Sequence, residues 1–127
     1  MAEETPNIQA FRAFAAAWNA LDLEGIVQAF APNGVYHNMP TDPLQGRDNI
    51  RELVKPWMET LSRMRWTIHN IVEAPSGLVF AERTDSFVMN GKSCDLPCNG
   101  VFEFRDGLIA VWRDYYDQAS VERAMIA

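Results

Sequence analysis

The sequence has few basic residues and does not cluster them. Eleven Lys and Arg stand against 17 Asp and Glu, which gives a formal net charge of −6. Because nucleic acids and anionic membranes are bound by concentrated Lys and Arg, this balance argues against both as partners. No apolar run approaches the ~20 residues of a membrane span. The N-terminus lacks a basic stretch followed by an apolar one, so we expect a cytoplasmic protein.

Motifs built on cysteine and glycine are also scarce. Cys94 and Cys98 are the only two cysteines. A structural zinc site usually needs four nitrogen or sulfur ligands, so we expect two reduced thiols and no metal. The chain has no Gly-x-Ser-x-Gly nucleophile elbow and no glycine-rich phosphate loop, which argues against an α/β-hydrolase and against a phosphate-binding cradle.

Length and composition predict one domain covering residues 1–127, without repeats or linkers. The first half has helical periodicity. Thr5 and Asp22 are suited to cap two helices, and a third is expected from about Arg47. Ala31–Gly34 should end the second helix, and Pro56 should kink the third or cut it short.

The second half alternates with a period of two residues, which is typical of strands. Strand-like runs lie at Val35–Met39, Met64–Ala74, Leu78–Asn90, Lys92–Arg105 and Leu108–Asp117. Asn90-Gly91 and Asp106-Gly107 separate the last three runs and are strong hairpin signals. We therefore predict an α+β fold, in which a curved, mainly antiparallel sheet packs over N-terminal helices and leaves room for an internal pocket.

Sorting the strand residues by parity puts polar side chains on faces that should be buried. These faces carry Arg83 and Asp85 in one strand, Ala110, Trp112, Asp114 and Tyr116 in another, and Tyr36 and Asn38 in the short strand. Polar residues at core positions usually have a functional reason.

Two carboxylates beside one arginine can hold different protonation states. Burial and mutual repulsion raise one pKa, while the guanidinium lowers the other, and this division suits acid–base catalysis. Two structural explanations compete with it. The arginine and an aspartate could form a buried ion pair that only fixes strand register. Alternatively, the parity could be opposite, with Glu82 and Thr84 facing inward.

At these residues the sequence resembles the limonene-1,2-epoxide hydrolase family, within the nuclear-transport-factor-2-like cone folds. The resemblance rests on Tyr36-His37-Asn38, Glu82-Arg83-Thr84-Asp85 and the run Trp112–Asp117, and it covers nearly the whole chain. It implies a cone-shaped domain with an internal pocket. It also implies direct attack of water on an epoxide, without a covalent intermediate, a metal or a cofactor. A further implication of the resemblance is that the protein is a homodimer.

The resemblance also implies roles for the polar residues. Asp114 corresponds to the general base that deprotonates water, and Tyr36 and Asn38 correspond to the residues that hold this water. Asp85 corresponds to the acid that protonates the epoxide oxygen, and Arg83 bridges the two carboxyl groups. The implied partners are a small hydrophobic epoxide and water.

The pocket wall determines which epoxide is accepted. Candidates for the wall are Trp112, which corresponds to an aromatic residue of the family's pocket, and Phe87, Met39 and Trp66. Their bulk favours a hydrophobic substrate such as a cyclic or terpene-like epoxide. His37 and His69 have the opposite parity and should face away from the site.

Two other functions remain open because one fold can host several activities. In a ketosteroid-isomerase-like or polyketide-cyclase-like enzyme, a carboxylate would abstract a carbon-bound proton and a phenol would stabilise the enolate. Arg83 argues against this, since it has no evident role at an enolate. A non-catalytic domain that binds a small ligand would turn over no epoxide at all.

Overall fold

Four helices and one six-stranded sheet make up the computed structural model, which describes residues 3–126. The elements in chain order are α1 (Pro6–Asn19), α2 (Leu23–Gln28), β1 (Phe30–Asn38), β2 (Leu44–Gln45), α3 (Arg47–Glu59), β3 (Leu61–Glu73), β4 (Val79–Met89), β5 (Lys92–Arg105), β6 (Leu108–Tyr116) and α4 (Gln118–Ile126). None of the described helices is long and apolar enough to cross a membrane.

The sheet has the strand order β2-β1-β6-β5-β4-β3. Strands β3 to β6 form the antiparallel meander that the hairpin signals predicted. At its far side β1 pairs with β6 in parallel, and β2 extends the sheet as a short antiparallel edge. The predicted α+β fold with a curved, mainly antiparallel sheet is therefore confirmed.

Local signals placed the helix starts correctly. The side chains of Thr5 and Asp22 each accept a hydrogen bond from the backbone N–H three residues ahead, at 3.2 and 3.0 Å. Pro56 does not cut α3, which continues to Glu59. A proline removes only one hydrogen bond of the helix, and the buried Met58 keeps the last turn packed.

Two boundaries differ from the predictions. Ala31–Gly34 does not end a helix but lies within β1, because Phe30 is already buried and paired with β6. The register with β6 shifts between Phe30 and Val35, so the segment containing the proline is the irregular part of the strand. Helix α4 was not predicted, although Asp117 is a recognisable cap whose carboxylate accepts a hydrogen bond from the Ser120 hydroxyl at 2.8 Å.

Parity along β4 agrees with the prediction, since burial alternates regularly from Val79 to Phe87. In β6 the pattern is interrupted. Val111 pairs with β5 and so does Ile109, but Ala110 between them has no partner and forms a bulge. The bulge puts Ile109, which is 1% exposed, in the inward position that alternation had assigned to Ala110.

Aromatic rings of α1 pack on the inner face of the sheet. Phe14 makes an edge-to-face contact with Trp112 at a centroid distance of 5.1 Å, and Trp18 stacks on Trp66 at 6.0 Å. Such pairs add stability beyond the area that they bury. They hold the helix against the same face on which the charged residues of β4 and β6 lie.

The last residue of α1 also binds the edge strand. The side-chain oxygen of Asn19 accepts a hydrogen bond of 2.7 Å from the backbone N–H of Trp66. This N–H lies on the open side of β3, whose one neighbour among the described strands is β4. The bond therefore satisfies an edge group of the strand and fixes α1 relative to it.

We expect Asn19→Ala to lower the free energy of unfolding by about 1 kcal/mol, because the Trp66 N–H loses its acceptor. Urea denaturation of the variant and the wild type measures this difference. Asn19→Asp, which keeps an acceptor oxygen, is the matched control and should lose much less. Equal stability of Asn19→Ala and the wild type would show that this hydrogen bond does not stabilise the packing of α1 against β3.

Candidate active site

The centre of the site is one arginine held by two carboxylates. Arg83 Nε and Nη2 donate to the two oxygens of Asp85 at 2.7 and 3.0 Å. Its Nη1 and Nη2 donate to the two oxygens of Asp114 at 2.8 Å each. The side chains of Arg83, Asp85 and Asp114 are 0%, 11% and 6% exposed. Both pairs have the bidentate geometry that gives the strongest carboxylate–guanidinium bonds.

Strand register explains how these residues meet. Arg83 and Asp85 belong to β4 and Asp114 to β6, so β5 lies between them. Where the arginine crosses β5, that strand has Gly100, which pairs with Asp114. A Cβ atom at Gly100 would lie 2.9 Å from Arg83 Nη1. The missing side chain is therefore what allows the guanidinium to lie close over β5 and reach both carboxylates.

Two tryptophans cover the arginine. The guanidinium carbon of Arg83 lies 4.1 Å from the ring centroid of Trp66 and 5.6 Å from that of Trp112. Both distances are within the range of cation–π attraction. The rings thus stabilise the buried charge while they keep water away from it.

Burial shifts the titration of the polar groups. It raises the pKa of Asp85, an effect that the Arg83 charge opposes and the Asp114 charge reinforces. Burial alone would lower the pKa of Arg83, but the two carboxylates outweigh it and raise the pKa well above the ordinary value. Burial and the Asp114 charge also raise the pKa of Tyr36 well above its ordinary value. Arg83 therefore stays charged, Tyr36 keeps its proton, and Asp85 binds a proton more readily than a solvated aspartate does.

The triad opens onto a cavity of about 280 Å³ between the helices and the inner face of the sheet. Most of the wall is apolar or aromatic. All four tryptophans of the chain line it. The lining residues are Trp18, Tyr36, Asn38, Thr41, Leu53, Val54, Trp57, Met64, Trp66, Arg83, Asp85, Phe87, Leu96, Trp112, Asp114, Tyr116, Gln118 and Val121.

The structure brings nearly all of the predicted site residues together. Every residue predicted to act in acid–base chemistry lines the cavity: Tyr36, Asn38, Arg83, Asp85 and Asp114. Three of the four predicted wall residues do so as well: Trp66, Phe87 and Trp112. Met39 is the exception and is absent from the wall. It follows Asn38 directly, so it is one residue out of phase with the side chains that face inward.

The histidines lie away from the cavity, as the parity predicted. His37 Nε2 is 3.0 Å from the carbonyl oxygen of Thr41. His69 is exposed at a bulge of β3, with its Nε2 2.7 Å from the Thr84 hydroxyl. Neither histidine lines the wall, so neither is placed to exchange a proton with a molecule inside it.

Several wall residues were missed because they come from elements that the strand pattern did not describe. Gln118 and Val121 belong to α4, and Leu53 belongs to α3. The cap at Asp117, followed by apolar residues at helical spacing, was the signal that could have indicated α4. Gly100 was also missed, since nothing local distinguishes a glycine that an arginine crosses.

The cysteines are free and buried. Cys98 Sγ and one oxygen each of Asp85 and Asp114 lie within 4.8 Å of one another, a spacing that a metal ion could bridge. The chemistry of these groups does not suit an ion. Arg83 already occupies both carboxylates with a positive charge, and burial raises the pKa of the Cys98 thiol, which disfavours the thiolate that a metal needs.

Comparison with known proteins identifies the family of this chain. Residues 11–112 match the model of the SnoaL-like domain, and the chain belongs to this family. The chain is 31% identical over 108 residues to the epoxide hydrolase EphG of Mycobacterium tuberculosis, and the aligned region covers 85% of this chain and 71% of that protein. The resemblance predicted from the sequence is thereby confirmed.

Solved structures show the same relationship. The structure of an LEH-like epoxide hydrolase from M. tuberculosis superposes with a TM-score of 0.82 at 28% identity, over 99% of this chain and 96% of that one. A protein with a ketosteroid isomerase-like fold from Catenulispora acidiphila superposes with a TM-score of 0.81 at 22% identity, over 91% of each chain. The second likeness shows the fold alone. The chain is thus a homologue of epoxide hydrolases within a fold that is widely shared.

We expect Asp85 to titrate above the ordinary aspartate value of 3.8, because burial disfavours its charged form. The folded protein then binds this proton more tightly than the unfolded chain does. The resulting stabilisation is complete below pH 3.8 and is lost as the pH rises through the folded-state pKa. Carboxyl-carbon NMR titration measures the midpoint, and Asp85→Asn identifies the signal.

The same variant provides the control on stability. As the pH rises above 3.8, the unfolding free energy of the wild type should fall relative to that of Asp85→Asn. A midpoint at or below the ordinary value would show that the arginine, not burial, dominates at Asp85.

Proposed function

We propose that this protein is an epoxide hydrolase that opens a hydrophobic epoxide to a vicinal diol by one-step attack of water. The observation that carries the proposal is the single guanidinium, bidentate to Asp85 and to Asp114, on the wall of a largely apolar cavity. This arrangement holds two carboxyl groups in fixed positions but in different surroundings. Acid–base catalysis needs such a pair.

Asp114 is the general base in this proposal. Its neighbour across the β1–β6 pairing is Asn38, and the charge of Asp114 acts on the Tyr36 phenol. Tyr36 and Asn38 both line the cavity beside it and supply the groups that hold a water molecule. Asp114 takes a proton from this water as the water oxygen forms a bond to an epoxide carbon.

Asp85 is the general acid. Its raised pKa supports this role, because a proton donor must hold its proton until the reaction. As the epoxide C–O bond breaks, the epoxide oxygen takes the proton from Asp85. The products are a neutral diol, a protonated Asp114 and an ionised Asp85. Return of one proton from Asp114 to Asp85 completes the cycle, and Arg83 holds both groups throughout.

The cavity wall supports a hydrophobic substrate. Its aromatic rings offer a large apolar contact area, which suits a compact cyclic epoxide. The arrangement is less suited to the isomerase or cyclase alternative. In that reaction a phenol stabilises the developing enolate, and an arginine paired with two carboxyl groups has no evident role there. The homodimer and the cytoplasmic location remain predictions from the sequence.

Asp114→Asn and Asp85→Asn should each lower the rate of diol formation at least about 100-fold, since each removes one half of the proton transfer. Chiral chromatography of the diols from a panel of cyclic and aromatic epoxides measures the rates. Asp95→Asn, at an exposed position of β5, is the matched control and should keep full activity. Circular dichroism verifies that each variant is folded, because an ion pair that loses one partner is destabilised.

A fully active, folded Asp114→Asn variant would contradict the proposed base. Wild-type protein that forms no diol from any epoxide would contradict the proposed reaction and favour the isomerase or the non-catalytic binding function.

Single turnover in ¹⁸O-labelled water distinguishes direct attack from a covalent route. With the protein in excess over the epoxide, we expect the label in the diol from the first turnover, because the oxygen comes from water. Mass spectrometry of the diol and of peptides containing Asp85 and Asp114 makes the measurement. An unlabelled first diol, with the label in an aspartate, would show that a carboxylate attacks instead.

A further inference from the structure

Apart from the indole N–H groups of the tryptophans and the Thr41 hydroxyl, two polar side chains of the cavity wall take no part in the proposed reaction. The polar lining residues are Tyr36, Asn38, Thr41, Arg83, Asp85, Asp114, Tyr116 and Gln118. Three form the ion-paired triad, and two hold the reacting water in the proposed mechanism. The Thr41 hydroxyl donates to the carbonyl oxygen of Asn38 at 3.1 Å. Tyr116 and Gln118 remain, two residues apart where β6 meets α4.

Tyr116 is placed to act on a bound molecule. It follows Asp114 by two residues on β6 and therefore lies on the same face, paired with Cys98 of β5. It is half-buried and lines the cavity. The charge of Asp114 acts on its phenol, yet within residues 3–126 no side chain forms a hydrogen bond with this hydroxyl. Its neighbour Tyr115 points to the other face and is 45% exposed.

The phenol keeps its proton at neutral pH. Burial, together with the charge of Asp114, raises the pKa of Tyr116 to about 12. A protonated phenol facing an apolar cavity offers one strong donor, and a ligand oxygen that accepts this bond compensates for the water lost on binding. A purely hydrocarbon ligand would leave the donor unpaired, which lowers its affinity.

We propose that Tyr116 determines specificity for epoxides that carry a second oxygen, a carbonyl or hydroxyl group on the ring or its substituent, which accepts a hydrogen bond from the phenol. The Gln118 amide, exposed at the adjacent start of α4, lines the same cavity. That the ligand is an epoxide rests on the proposed hydrolase function. The preference for an oxygen-bearing ligand depends only on the wall.

Two cyclohexene oxides that differ in one group test the inference. One bears an acetyl group at ring carbon 4, and the other bears an isopropenyl group there, so that C=O replaces C=CH₂ in nearly the same shape. For each, kcat/KM is measured with the wild type, Tyr116→Phe and Tyr115→Phe. The ratio of the two substrates cancels effects on folding and on the chemical step.

The ratio of kcat/KM for acetyl over isopropenyl should fall about fivefold in Tyr116→Phe, the size expected for one neutral hydrogen bond. It should stay at the wild-type value in Tyr115→Phe, which removes a phenol from the opposite face of the same strand. An unchanged ratio in Tyr116→Phe overturns the inference. An equal loss with both substrates leaves the ratio unchanged and therefore overturns it as well.

Binding provides a readout that does not depend on turnover. The corresponding cyclohexenes, which lack the epoxide, are titrated with the same three proteins, and Kd is followed by tryptophan fluorescence, since all four tryptophans line the cavity. The acetyl preference in affinity should fall about fivefold in Tyr116→Phe alone. If the wild type forms no diol, the proposed function fails, and this ratio still decides the inference.

Discussion

The rest of the structure depends on the double pairing of Arg83. A buried guanidinium is tolerated only when its donors are satisfied, and here Asp85 and Asp114 take four hydrogen bonds from it. That requirement constrains three strands at once. It requires the register found for β4, β5 and β6 and the absence of a side chain at Gly100, and the ring of Trp66 lies over the charge.

The same pairing connects the fold to the proposed chemistry. The guanidinium supplies the positive charge that offsets the two carboxyl groups within a cavity lined by four tryptophans. Burial, the main cause of the raised pKa of Asp85, results from the packing of α1 and the sheet around the site. A single structural feature thus separates the two carboxyl groups into a candidate donor and a candidate acceptor while the guanidinium holds both at fixed positions.

Much of the fold followed from local patterns. The caps at Thr5 and Asp22 and the hairpin turns at Asn90-Gly91 and Asp106-Gly107 each depend on neighbouring residues, so they could be interpreted without tertiary information. The failures involved elements whose character depends on distant partners. β1 begins at Phe30 because β6 pairs with it, and Ala110 leaves the inward face because β5 imposes a bulge. α4 had a usable local signal at Asp117.

By itself, the sequence determined which side chains share a face, because the period of a strand is a local property of the backbone. Arg83 with Asp85, Tyr36 with Asn38, and Trp112 with Asp114 could therefore be grouped from spacing alone. Only the tertiary structure decided that these three faces are one surface, that the arginine reaches β6 across Gly100, and that α4 completes the cavity while Met39 does not. Those outcomes depend on the pairing and packing of segments far apart in the chain, which no local periodicity encodes.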